Sequence, residues 1–74
     1  MKKPNIIFSA SSKTAGVRFD VEYRSGTHYV TQTEISTGRI RSTREFTRAK
    51  RKYALNQARI CANNAERDAI ARLA

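Results

Sequence analysis

The sequence is poor in the residues that staple, hinge or catalyse. Its 74 residues include one cysteine, one proline, three glycines, one histidine and no tryptophan. A lone thiol, Cys61, excludes an intramolecular disulfide and fits a reducing compartment. The glycines at 16, 26 and 38 match neither G-x-x-x-x-G-K-[ST] nor G-x-G-x-x-G, so no glycine-rich phosphate loop is present. The longest apolar run is Ile6-Ile7-Phe8. A membrane-spanning helix needs about 20 apolar residues, and a secretory h-region at least about seven. Met1-Lys2-Lys3 before that run and Ser9-Ala10-Ser11 after it imitate a signal peptide in outline only, so the expectation is a cytoplasmic protein without membrane contact. His28 has no Cys, Asp or Glu at ligand spacing and reads as a strand residue. Cys61 has no histidine motif around it and reads as a packing residue. No catalytic group, metal or cofactor is expected.

Acidic residues are also scarce. Six Asp and Glu face 15 Lys and Arg, giving a net charge of +9, which points to a polyanionic partner. High net charge with 39% hydrophobic residues is also a composition of disordered chains. Against disorder stand three Tyr and three Phe spread along the chain, and apolar residues that recur with clean periods. A chain this short makes one domain and hides only about 60% of its unfolded surface.

The expected fold is α+β: a small antiparallel sheet of three to four strands followed by a long C-terminal helix. Residues 5–9 read as a first strand, with Pro4 at its entrance, where proline costs no ladder bond. The small polar stretch 10–16 reads as a loop. Val17, Phe19, Val21 and Tyr23 alternate with Arg18, Asp20, Glu22 and Arg24, the period-two pattern of a half-buried strand over 17–24. Ser25-Gly26 is a turn signal, and 27–35 is β-branched and aromatic, which completes a hairpin. A two-residue loop puts His28 and Val30 on the core face. A three-residue loop puts Tyr29, Thr31, Thr33 and Ile35 there instead, because a one-residue slip inverts every side chain. Ser36-Thr37-Gly38 is the next turn, and 39–41 a short returning strand.

Ser42-Thr43-Arg44-Glu45 has the S-x-x-E form of a capping box, and no Gly or Pro follows through Ala74. The expected helix covers about 43–62. At roughly 100° per residue, Phe46, Ala49, Tyr53 and Ile60 fall within about 60° and form the stripe expected to pack on the sheet. Ile70 and Leu73 leave that stripe. A kink or break near Asn63-Asn64 is expected, with Glu66 three residues after Asn63 and a short second helix over about 65–73.

Residues 39–52 hold seven basic residues and a single acid, Glu45. On the expected helix, Arg44, Arg48, Arg51, Lys52 and Arg59 lie within about 100° of arc, opposite the apolar stripe. Lys50 sits at the stripe's edge, where its stem can lie along the core. Like charges at i,i+3 and i,i+4 repel by a few tenths of a kcal/mol per pair, and cations near a helix N-terminus oppose its dipole. Phosphates would compensate that cost. The candidate polyanion-binding residues are therefore Arg39, Arg41, Arg44, Arg48, Arg51, Lys52 and Arg59, in a non-catalytic nucleic-acid-binding module for DNA or RNA. A second reading is a small inhibitor or adaptor, of the kind mobile elements such as phages carry, that docks on an acidic surface of a larger host protein. Leu55, exposed within the basic arc on this wheel, would be its apolar anchor. Ile70 and Leu73 are candidates for contact with a second copy.

In layout, several antiparallel strands and then a helix, the chain resembles the three-stranded DNA-binding domains of some integrases and plant transcription factors. Arg48-Ala49-Lys50-Arg51-Lys52-Tyr53-Ala54 resembles the basic start of the last helix in double-stranded-RNA-binding domains. The first helix and glycine-rich strand entrance of that second family are absent here.

Overall fold

The alternating stretch at 17–24 becomes an inner strand of a four-stranded antiparallel sheet. In the computed structural model, which describes residues 5–73, the elements are β1 (Ile6–Ser12), β2 (Val17–Arg24), β3 (Thr27–Glu34), β4 (Ile40–Thr47), a 3-10 turn at Arg48–Lys50 and one helix, α1 (Arg51–Leu73). Strand order is β1-β2-β3-β4, a meander in which each strand pairs with its sequence neighbour. The fold is thus the expected α+β arrangement of a sheet followed by a C-terminal helix. Pro4 lies outside the described residues. No helix among them is long and apolar enough to cross a membrane.

The β2–β3 turn settles the register. Arg24 pairs with Thr27, and the two loop residues take positive φ, 51° at Ser25 and 80° at Gly26. Positive φ at both central positions marks the type I′ turn, whose twist matches that of the flanking strands. The two-residue alternative therefore holds. His28 and Val30 are buried beside Tyr23 and Val21, while Tyr29 and Thr31 point to the opposite face.

Four boundaries differ from expectation. β1 runs on to Ser12, because Ser11 and Ser12 pair with Arg18 and Val17. β4 does not stop at 41 but continues to Thr47, and the helix begins at Arg51 rather than near 43. The S-x-x-E tetrad is consequently strand, not cap. Ser42 Oγ donates to Gln32 Oε1 across the ladder at 3.3 Å, and Glu45 pairs with Tyr29. The physical reason is that a returning strand satisfies the outer backbone groups of β3, which outweighs one capping contact. Finally, α1 is continuous through Asn63-Asn64, so the separate helix expected from 65 is its last two turns.

The helix docks through alanines. Ala54, Ala58 and Ala62 are buried against Val17, Phe19, Val21 and Val30, with Leu55, Cys61 and Ala65 partly buried around them. This replaces the expected Phe46–Ala49–Tyr53–Ile60 stripe. Phe46 belongs to β4, Ala49 to the 3-10 turn, and Tyr53 and Ile60 are 52% and 40% exposed. Methyl side chains let the helix backbone approach the sheet closely, so valine and phenylalanine side chains from the strands fill the space between the layers. Each such buried side chain is worth about 1.5–3 kcal/mol. The alanine stripe also explains the unbroken helix, since Ala62 and Ala65 keep both sides of Asn63-Asn64 on the sheet.

The far end of α1 is tied down by Glu66. Its carboxylate accepts hydrogen bonds from Ser12 Oγ (2.6 Å), Thr14 Oγ1 (2.6 Å) and the Thr14 N–H (3.3 Å). The Ser12 and Thr14 hydroxyls hold its pKa below the usual carboxylate value. A lowered folded pKa means the clamp stabilises the fold above the unfolded carboxylate value of about 4.3 and is lost as pH falls through the lowered one. Glu66→Gln is therefore expected to lower the melting temperature at neutral pH. At about pH 3, below the unfolded carboxylate value, that deficit is expected to shrink. Thermal melts at both pH values test this. An equal deficit at each would show that the carboxylate charge does not hold the loop.

Candidate nucleic-acid interface

Strand β4 sorts charge by its alternation. Arg44 and Phe46 lie opposite Val30 and His28, on the helix side of the sheet, while Glu45 lies opposite Tyr29 on the open side. The single acid within 39–52 is thus removed from the basic side. β2 does the same with Asp20 and Glu22, whose pairing partners Thr31 and Tyr29 lie on the open side. There Arg18 Nε donates to Asp20 Oδ2 at 2.9 Å, Ser9 Oγ donates to Asp20 Oδ1 at 2.5 Å, and the Arg24 guanidinium lies 4.6 Å from the Tyr29 ring centre. The open face is charge-mixed, with Asp20 held by Arg18 and Ser9, and it would repel phosphate in part.

The seven cations read from the sequence do not share one helix face. Arg39 precedes β4 and is exposed, its carbonyl accepting the Glu34 N–H at 2.8 Å. Arg41 is the extra residue of a bulge where the β3–β4 register shifts between Gln32 and Thr33. Arg44 is strand and Arg48 opens the 3-10 turn, both exposed. Only Arg51, Lys52 and Arg59 lie on α1. Helical spacing does not relate them, because residues 40–47 are strand and α1 begins only at Arg51.

Arg51 differs from the rest. Its Nε lies 3.2 Å from His28 Nε2, and its guanidinium lies 5.2 Å from the Tyr23 ring centre. An arginine N–H can only donate, so Nε2 accepts, which leaves the imidazole proton on Nδ1. Nδ1 then donates to the Thr47 carbonyl at 3.2 Å. His28 is fully buried with both ring nitrogens satisfied, and the Tyr23 ring packs on it at 4.8 Å. This knot joins β2, β3, the end of β4 and the first turn of α1. Beside it Phe46 packs on Tyr53 at 5.4 Å, and the Lys50 ammonium lies 5.5 Å from the Tyr53 ring centre.

With the alanine stripe fixing the inner side of α1, its outer side carries Lys52, Asn56, Arg59, Asn63 and Arg67, all exposed. Arg59 Nη2 donates to Asn56 Oδ1 at 2.8 Å. Sequence reasoning missed Asn56, Asn63 and Arg67. The available signal was alanine at 54, 58, 62, 65 and 69, a helical repeat of small residues that defines the opposite face. Leu55 is not exposed in the basic surface. It is half-buried against the core and lines a shallow hollow with Phe8, Lys52, Asn56 and Arg59. Ile70 and Leu73 are 54% and 78% exposed near the end of α1.

Compared with known proteins, the chain matches no family model, no curated protein and no solved structure.

Proposed function

We propose that this domain is a non-catalytic nucleic-acid-binding module whose helix side, with the adjoining β4 edge, contacts phosphates. The observation that carries this reading is charge segregation without neutralisation. Between Arg39 and Arg59 the helix side holds basic residues and no acid, because Glu45 faces the other way; the helix-side acids Glu66 and Asp68 lie further along α1, Glu66 bonded to Ser12 and Thr14 and Asp68 lining one hollow with Arg41. Among the described residues the one ion pair is Arg18–Asp20, on the open face. Basic groups serving only solubility would alternate with acids at i,i+4, which lowers the repulsion between them. Arg39, Arg41, Arg44, Arg48, Lys52 and Arg59 are the phosphate ligands of this reading. Arg51 is engaged with His28 and Tyr23, so its first role is structural.

Fluorescence anisotropy with labelled DNA and RNA, duplex and single-stranded, across a salt series tests the proposal. With about five phosphates engaged, log K is expected to fall against log salt with a slope of about −4 to −5. Weak binding, indifferent to ligand and gone at physiological salt, would reject the module. It would leave an acidic protein surface as the partner.

A further inference from the structure

We infer that the outer face of α1 enters the major groove of duplex DNA and reads base edges there. This rests on the nucleic-acid reading above and names its ligand class. Lys52, Asn56, Arg59, Asn63 and Arg67 follow i, i+4, i+7, i+11 and i+15. At roughly 100° per residue they span about 80° of arc, with Ile70 continuing the line. Among these six residues there is no acid.

Two features set this face apart from a merely solvated one. A solvated helix face uses Glu and Lys at i,i+4, whereas this one uses Asn and Arg. Asparagine is a poor helix former, and three of them, Asn56, Asn63 and Asn64, occupy exposed mid-helix positions in a helix otherwise rich in alanine, the first two on this face. Their chemistry suits base edges. Asparagine accepts from the adenine N6 amine through its carbonyl oxygen and donates to adenine N7 through its amide N–H. Arginine offers two donors to guanine O6 and N7, and an aliphatic side chain such as Ile70 suits a thymine methyl. The Asn56–Arg59 hydrogen bond already orients that guanidinium while leaving other donors free.

The geometry admits the groove. The five polar positions cover about 22 Å of helix, and a helix of about 10–12 Å diameter fits a B-form major groove about 12 Å wide. The alanine stripe seats α1 on the sheet by its opposite side, so the reading face projects from the domain. Arg48, in the 3-10 turn that leads into α1, is exposed next to the start of this face as a contact for a phosphate backbone. The major groove of A-form RNA is too narrow for a helix, so duplex RNA would meet only the phosphate ligands.

The test compares three ligands and one variant by anisotropy. The ligands are a mixed-sequence DNA duplex, its RNA counterpart, and the same DNA methylated at guanine N7 with dimethyl sulfate. Expected is DNA over RNA by about tenfold, and a loss of about fivefold or more on methylation, the size of one bidentate base contact. The double variant Asn56→Ala, Asn63→Ala replaces poor helix formers with a good one and is expected to fold. It is expected to keep the salt slope while the spread of affinities over a panel of DNA sequences collapses. Equal binding of DNA and RNA duplexes, or indifference to N7 methylation, overturns the inference and leaves the phosphate-binding module standing. Failure to bind any nucleic acid overturns both.

Discussion

His28→Ala is expected to destabilise the domain by about 3–5 kcal/mol, combining a large-to-small core cavity with an acceptor left without its donor. The imidazole is fully buried, and its Nδ1–H satisfies the Thr47 carbonyl where β4 ends. Its Nε2 receives Arg51 at the start of α1, and Tyr23 loses its packing partner at the same time. The whole stability expected for 74 residues is only about 4–11 kcal/mol. One substitution could therefore consume most of it. Urea unfolding followed by far-ultraviolet circular dichroism measures the effect. His28→Phe, which refills the volume but supplies no donor, is expected to fall between wild type and His28→Ala. A stability loss under about 1 kcal/mol for His28→Ala would show that the knot is peripheral to folding.

The second large effect is on binding. Reversing charge at Arg44 and Arg48 together is expected to lower affinity for duplex DNA by at least about 60-fold at 0.1 M salt. Each lost phosphate contact forfeits about 0.9 of a decade per decade of salt, and two carboxylates add repulsion. The pair is chosen for its surroundings. Both side chains are exposed and neither makes a side-chain hydrogen bond or ion pair among the described residues, so the fold is expected to survive. Arg51 is unsuitable for the same test, because its reversal would strip His28 of its donor and confuse binding with folding. Anisotropy and a parallel thermal melt read the two properties separately. Retained affinity with an intact melt would remove Arg44 and Arg48 from the interface.

What could be read from the sequence depended on the size of the side chains carrying the signal. β2 was legible because Val17, Phe19, Val21 and Tyr23 contrast sharply with their charged neighbours. The hairpin was legible from Ser25-Gly26, but its register was not. Both phases of 27–35 carry β-branched or aromatic residues, and only the turn dihedrals choose between them. The end of the sheet was misread for a local reason. A four-residue capping signature competes with β4 pairing along its whole length, and that pairing depends on β3, which a local motif does not see. Placing Phe46 on a helix then rotated the whole wheel. The true inner face is built of alanines, which add little to a hydrophobicity-weighted stripe although they bring the layers together. The cations were found as residues, but their grouping required the strand-to-helix boundary to be placed correctly. Asn56 and Asn63 stayed hidden because neither charge nor apolarity marks them.

The meander order has a consequence for how the chain acquires its shape. Successive strands are joined by loops of four, two and five residues, so the ladder can zip through short closures whose entropic cost is small. The helix is different. Ser12 and Glu66 meet across 54 residues, and the alanine stripe has no complete surface to land on until β1 and β2 have paired. Ribosomal synthesis would release the chain in that same order, with the sheet emerging before the segment that covers it. In the interval the valines and phenylalanine of β2 stand uncovered. The chain's strong positive charge then acts against self-association, holding half-made copies apart until the last helix closes over them.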